Sequence, residues 1–188
     1  MKSAIIIHGS YGNPDENWFP WLSSELKKIG YEVIIPKFPS PENQSLESWQ
    51  KVFESFYDKI GPQTILIGHS LGVAFILTLL ESLNSPIKAT YLVSGFIGLL
   101  NNPEFDEINK TFVTKKFDWE KIKQNSRDFY IFHSDNDPYV PFEKAEEIAD
   151  NLGIQVTQIK GAGHFNQEAG YTEFKELLDV IKGAKRII

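Results

Sequence analysis

The chain has 188 residues, of which 41% are hydrophobic, 13% aromatic and 23% charged; this suffices for a buried core and excludes disorder as the main theme. Lys and Arg number 19 against 25 Asp and Glu, and the net charge of -6 argues against binding nucleic-acid phosphates or anionic lipid. Cysteine is absent, so disulfides, thiolate nucleophiles, C-x-x-C redox chemistry and cysteine-based zinc sites are excluded.

Met1-Lys2-Ser3 leads directly into Ala4–Ile7, an apolar run too short for a signal peptide and without a small-residue cleavage site. It reads as the first strand. Further strands are expected at Glu32–Ile35, Thr64–Ile67, Ala89–Val93, Phe129–Phe132 and Ile154–Ile159. Most of these runs are β-branched and nearly continuous, as strands buried on both faces require. Ile154–Ile159 alternates instead, which suits an edge strand. Helical patterns fill the gaps. Trp18–Ile29 follows Asn17, an expected N-cap, and stops at Gly30. Leu46 to Ile60 carries one apolar stripe and ends before Gly61-Pro62. Val73–Leu83 is apolar nearly all round and is expected to be buried. Phe142–Leu152 runs from Pro141 to Gly153, and Thr172–Ile181 closes the pattern.

Strand and helix alternate throughout. The pattern predicts a single domain over residues 1–188: a three-layer α/β/α sandwich with a mostly parallel six-stranded sheet of order 2-1-3-4-5-6 and right-handed crossovers. The one long irregular stretch is Gly95 to Arg127, expected as a small excursion too short for a cap domain. No stretch approaches the ~20 apolar residues of a membrane span. A soluble cytoplasmic protein that binds neither membrane nor nucleic acid is the expectation.

Gly68-His69-Ser70-Leu71-Gly72 fits the G-x-S-x-G nucleophile elbow, and it follows a predicted strand and opens a predicted helix. On such a turn, side chains two positions to either side of the serine would collide, so both positions are glycine. The turn exposes Oγ and puts the Leu71 N–H at a helix N-terminus, aimed at a developing oxyanion. A serine hydroxyl needs a base. Of the 4 histidines, His164 lies in the glycine-rich loop Lys160–Phe165 after the last strand, from which an imidazole can reach across the sheet edge. His69 is adjacent to Ser70 and should point away from it, while His8 and His133 read as structural hydrogen-bonders. The loop from His133 to Pro141 offers two carboxylates to orient the base. Asp137 is preferred, and Asp135, readable as a loop cap, is the rival.

The chain order Ser70, Asp137, His164 is that of the α/β-hydrolase fold, and all three fall at carboxyl ends of strands, where open sheets bind ligands. A second oxyanion donor is expected in the loop Gly9–Tyr11, from the Ser10 N–H with Tyr11 next. Tyr11 and His69 are candidate substrate contacts. Trp18, Phe19, Trp21 and Trp49 read as core packing, with an acyl or aryl pocket as the alternative. Neither a metal nor a cofactor is called for by these residues, and the expected partner is a small-molecule acyl substrate.

Several segments carry a resemblance: His8–Tyr11 followed by Trp18–Leu22, the prolines Pro36, Pro39 and Pro41 with Trp49, the elbow, Asp137–Phe142, and Gly163-His164-Phe165 with Gly170 and Thr172. These resemble α/β-hydrolases, and within them the small serine hydrolases of the retinoblastoma-binding-protein-nine and YdeN-like family. The resemblance implies a compact, cap-poor hydrolase with Ser70 as nucleophile, Asp137 as acid, His164 as base and no metal. Two departures stand out. His133-Ser134 precedes the acidic loop where many α/β-hydrolases have glycine. The Leu-x-Cys-x-Glu motif that gives the family its retinoblastoma partner is impossible without cysteine, so that partner does not carry over.

Overall fold

In the computed structural model, which describes residues 2–183, six parallel strands form one sheet of order β2-β1-β3-β4-β5-β6. The strands are β1 (Ser3–Ile7), β2 (Glu32–Ile34), β3 (Ile65–His69), β4 (Ala89–Val93), β5 (Phe129–Ser134) and β6 (Val156–Ile159). Between and after them run α1 (Phe19–Lys28), α2 (Leu46–Phe53), α3 (Leu71–Ser82), α4 (Pro103–Val113), α5 (Trp119–Gln124), α6 (Phe142–Leu152) and α7 (Lys175–Ile181). None of these helices is long and apolar enough to cross a membrane.

Strand side chains alternate between faces, and the two faces build two cores. Ile5, Ile7, Leu66, Leu92 and Ile131 pack against α2, α3, α5 and α6. Ala4, Ile6, Ile65, Ile67, Tyr91, Val93 and Phe132 pack against α1 and α7. Both faces of the central strands are therefore dry, which is why their sequences are continuously apolar. The alternating β6 lies at one edge and is only partly buried. Trp18, Phe19 and Trp49 are fully buried. The Trp18 indole N–H donates to the Phe165 carbonyl and that of Trp49 to the Pro39 carbonyl, both at 2.9 Å. Core packing is thus what these aromatics do.

Four local expectations are corrected. Asn17 does not cap α1: its φ of 53° is left-handed, the N-cap is Trp18, and the Asn17 side-chain oxygen instead accepts the Gln167 N–H at 2.8 Å. The second stripe is α-helical only to Phe53 and tightens to a 3₁₀-helix over Glu54–Lys59. That part buries no residue fully, so little core holds it to α geometry. The last helix begins at Lys175 rather than Thr172, after Phe174 is drawn into the core. The stretch from 95 to 127 is not irregular but holds α4 and α5. Asn102 caps α4 through its side chain, Pro103 follows, and Phe112 and Val113 anchor it in the core.

Candidate active site

Ser70 is the N-cap of α3, with φ 55° and ψ -123°, a strained conformation for a residue with a Cβ. Its N–H donates to the Val93 carbonyl at 2.9 Å and its carbonyl accepts the first helical bond, from Val73, at 3.0 Å. The chain therefore turns from strand to helix at this one residue. A Cβ on Gly72 would stand 2.5 Å from the Ile7 carbonyl oxygen and 2.7 Å from that of His8, so only glycine lets α3 sit down on β1. On the other side, a Cβ on Gly9 would stand 2.7 Å from the Ser70 Cβ and 3.2 Å from its Oγ. The loop after β1 is thus pressed directly against the serine.

His164 Nδ1 lies 2.8 Å from Asp137 Oδ2. The neighbouring loop side chains hold the backbone that carries His164. The N–H groups of Gly161, Ala162 and Gly163 donate to Asp135 Oδ1 (2.7 Å), Ser134 Oγ (2.9 Å) and Asn136 Oδ1 (2.8 Å). Asp135 is therefore a loop brace, and Asp137 is the carboxylate that meets the imidazole. The Ser134 hydroxyl also donates to Asn136 Oδ1 at 2.6 Å.

The other histidines support the backbone. His8 Nε2 accepts the Phe38 N–H at 3.1 Å, so its Nδ1 carries the proton and donates to the Gly9 carbonyl at 2.8 Å. His133 Nε2 donates to the Val140 carbonyl at 2.9 Å. His69 Nε2 donates to the carbonyl of His164 itself at 2.8 Å, with the two rings 4.8 Å apart. Burial, reinforced by the neighbouring His164, lowers His69 to a pKa of about 3. Burial also lowers His8 and His133, so all three rings stay neutral at ordinary pH. Asp137 is pulled two ways. Burial pushes its pKa up, but the His164 hydrogen bond and charge and the N–H groups of Val140 and Tyr139 outweigh it and hold the carboxyl below its ordinary value.

A cavity of about 900 Å³ opens over these groups. Ser70, His69 and His164 line it together with Gly9, Ser10 and Tyr11. Phe96, Leu100, Phe105 and Val140 make an apolar part of the wall, and Asn17, Asn166, Gln167 and Glu168 a polar one. The Leu71 N–H is the first of α3 and has no partner within the helix. Among the described residues no acceptor takes the Ser10 N–H, whereas the Tyr11 N–H is bound to Ser40 Oγ at 2.5 Å. Of the two loop donors, Ser10 is the available one. Tyr11 stands at the mouth, 46% exposed, its hydroxyl donating to Glu104 at 3.1 Å. Among the described residues no set of His, Asp or Glu side chains is grouped so as to hold a metal ion.

Sequence reading missed what α4 contributes. Phe105 and Asn109 line the cavity from this helix, and Gln44 reaches Asn109 from the loop before α2. Asn102-Pro103, an N-cap followed by proline at N1, with Phe105, Asn109 and Phe112 at helical spacing, was the signal available.

The family model for serine hydrolases matches residues 4–183. A Bacillus subtilis (strain 168) protein named as a hydrolase, YdeN, is 30% identical over 182 residues, covering 96% of this chain and 94% of its own. Its crystal structure superposes with a TM-score of 0.90 over 98% of both chains. The serine hydrolase RBBP9 of Rattus norvegicus is 29% identical over 182 residues, covering 95% of this chain and 93% of its own. Est1E of Butyrivibrio proteoclasticus, solved with ferulic acid bound, shares the fold at 17% identity, with a TM-score of 0.71 over 97% of this chain and 90% of its own.

Proposed function

The chain belongs to the serine hydrolase family, with an α/β-hydrolase fold, and on that premise we propose that it hydrolyses small carboxylic esters through a Ser70-Asp137-His164 triad. Ser70 Oγ attacks the substrate carbonyl carbon while the His164 Nε2 takes its proton. The carbonyl oxygen becomes an oxyanion that receives the N–H groups of Leu71 and Ser10. Collapse expels the alcohol, protonated by His164, and leaves an acyl-enzyme. Water then attacks the acyl carbon, gives a proton to His164, and the acid departs as Ser70 regains its proton. Asp137 holds the imidazole in the Nδ1–H tautomer and stabilises the imidazolium. Each oxyanion donor lowers the barrier by about 3–4 kcal/mol.

The observation that carries this reading is the 2.8 Å Asp137–His164 hydrogen bond together with a serine in a strained elbow, both His164 and Ser70 lining one cavity. Backbone strain at a single serine is costly, about 1–3 kcal/mol, and persists where surrounding structure enforces it for a task. The mixed wall of the cavity suits a small ester with one apolar and one polar side. A cytoplasmic location is part of the proposal.

Steady-state hydrolysis of p-nitrophenyl esters of increasing acyl length tests the reading. Short acyl chains should be cleaved best, and Ser70→Ala should abolish turnover without unfolding the protein. Full activity in Ser70→Ala would end the mechanism, and rates rising steadily to long acyl chains would end the assigned substrate class.

A further inference from the structure

The Ser10 N–H can serve an oxyanion only if a loop without strand or helix bonds of its own is held to a fraction of an ångström. The loop Gly9–Tyr11 is held by a ring of side chains. Ser10 Oγ donates to Asn109 Oδ1 at 2.5 Å. Gln44 Nε2 donates to the same Asn109 oxygen at 2.8 Å, and approaches Ser10 Oγ at 3.1 Å and the Ile108 carbonyl at 3.2 Å. Gln44 Oε1 accepts from Ser40 Oγ at 2.6 Å, and Ser40 Oγ accepts the Tyr11 N–H at 2.5 Å. The ring thus leaves the loop at Ser10 and returns to it at Tyr11.

Asn109 is the fixed point of this ring. It is 1% exposed on α4, three residues before Phe112, whose ring packs edge-on against Trp49 at 4.9 Å. Two further ties run from the same helix to the loop: Glu104 accepts the Tyr11 hydroxyl at 3.1 Å, and Phe105 meets the Tyr11 ring at 5.8 Å. Tyr11 is held at φ 59°, a conformation that costs a residue with a Cβ and that its bond to Ser40 stabilises. Without the ring, nothing among the described residues binds the Ser10 side chain.

We propose that Asn109 and Gln44 are positioning residues for catalysis, and that α4 is a buttress that sets the Ser10 oxyanion donor against Ser70. Neither side chain touches the reacting atoms in this account. They act through the loop, so the transition state feels their loss more than the ground state does. The proposal rests on the esterase reading above.

The test is a double-mutant cycle of Ser10→Ala and Asn109→Leu, with Gln44→Leu alongside, on the intact chain. Ser10→Ala keeps the backbone N–H, removes only the tether, and is small enough to leave the fold in place. For each folded variant, kcat and KM on a short p-nitrophenyl ester are measured together with the rate of Ser70 phosphonylation by a fluorophosphonate. The expected result is a fall of about 10- to 100-fold in kcat, as for a small misplacement of a catalytic group, with KM nearly unchanged and phosphonylation slowed in parallel. The double variant should be no slower than the slower single one, because both cut the same tether. Losses confined to KM, unchanged kcat in Ser10→Ala, or additive losses would overturn the proposal. A wild-type protein that neither turns over nor labels at Ser70 would instead remove the esterase reading beneath it, and the positioning role with it.

Discussion

The two oxygens of Asp137 face different tasks: Oδ2 lies 2.8 Å from His164 Nδ1, while Oδ1 accepts the N–H groups of Tyr139 and Val140 at 2.9 and 3.0 Å. The carboxylate is thus clamped by backbone on one side and free to orient the imidazole with the other. Asp137→Asn keeps the size of the side chain and removes the charge and the enforced tautomer. Its kcat should fall by roughly 10³- to 10⁴-fold with the fold retained. Circular dichroism and ester kinetics on the purified variant check this; a kcat within tenfold of wild type would contradict the assigned role.

Gly9 and Gly72 both make close approaches, but to different kinds of atom. A methyl at Gly9 meets chiefly the Ser70 side chain, with the His69 carbonyl oxygen further off at 3.3 Å, whereas one at Gly72 meets the backbone oxygens of Ile7 and His8, at the end of β1 and just past it. Gly9→Ala should therefore strike activity first, with kcat/KM down by about 100-fold and a modest loss of stability. Gly72→Ala should strike stability, by about 1–3 kcal/mol or more, because strand backbone cannot move aside. Urea unfolding and ester kinetics on both variants separate the two. Equal effects in both assays would contradict the contrast.

Much of this arrangement was legible in the sequence. Ile5-Ile6-Ile7 and Ile65-Leu66-Ile67 are apolar at every position because both faces of the sheet are covered, and that continuity announces a parallel sheet. Gly68 and Gly72 announce the elbow because the turn leaves no room for side chains there. Asn109, Gln44 and Ser40 were not legible. They are ordinary polar residues, Asn109 lying 65 positions from Gln44, and only α4 packing over the loop after β1 brings them into one ring. Asn17 misled for a related reason: a residue suited to cap a helix served a tertiary bond to the loop after His164 instead.

Acid should destabilise the protein well above the carboxylate range. Folded His69 refuses a proton down to a pKa of about 3, whereas the unfolded chain accepts one near 6.5. The unfolded state therefore binds more protons throughout that window, and stability falls as pH drops below 6.5. One such group gives a slope of about 1.4 kcal/mol per pH unit. His8 and His133 are lowered too and should steepen the slope. Asp137 acts lower down: its contribution is complete above the ordinary aspartate value of 3.8 and is lost only as pH falls through its depressed folded pKa. Urea unfolding at pH 7, 6, 5 and 4 should show the decline, and His69→Gln should flatten it by one proton. Stability that is level from pH 6.5 to 4 would contradict neutral burial of these rings.

The central claim is that Ser70 is an activated nucleophile in an assembled triad. Labelling of the purified protein with a fluorophosphonate probe, beside Ser70→Ala and His164→Ala and read by intact mass and peptide mapping, tests it most directly. The account predicts one adduct per chain, on Ser70, absent from Ser70→Ala and nearly absent from His164→Ala. A folded wild type that takes up no probe, or carries it on another residue, would contradict the claim.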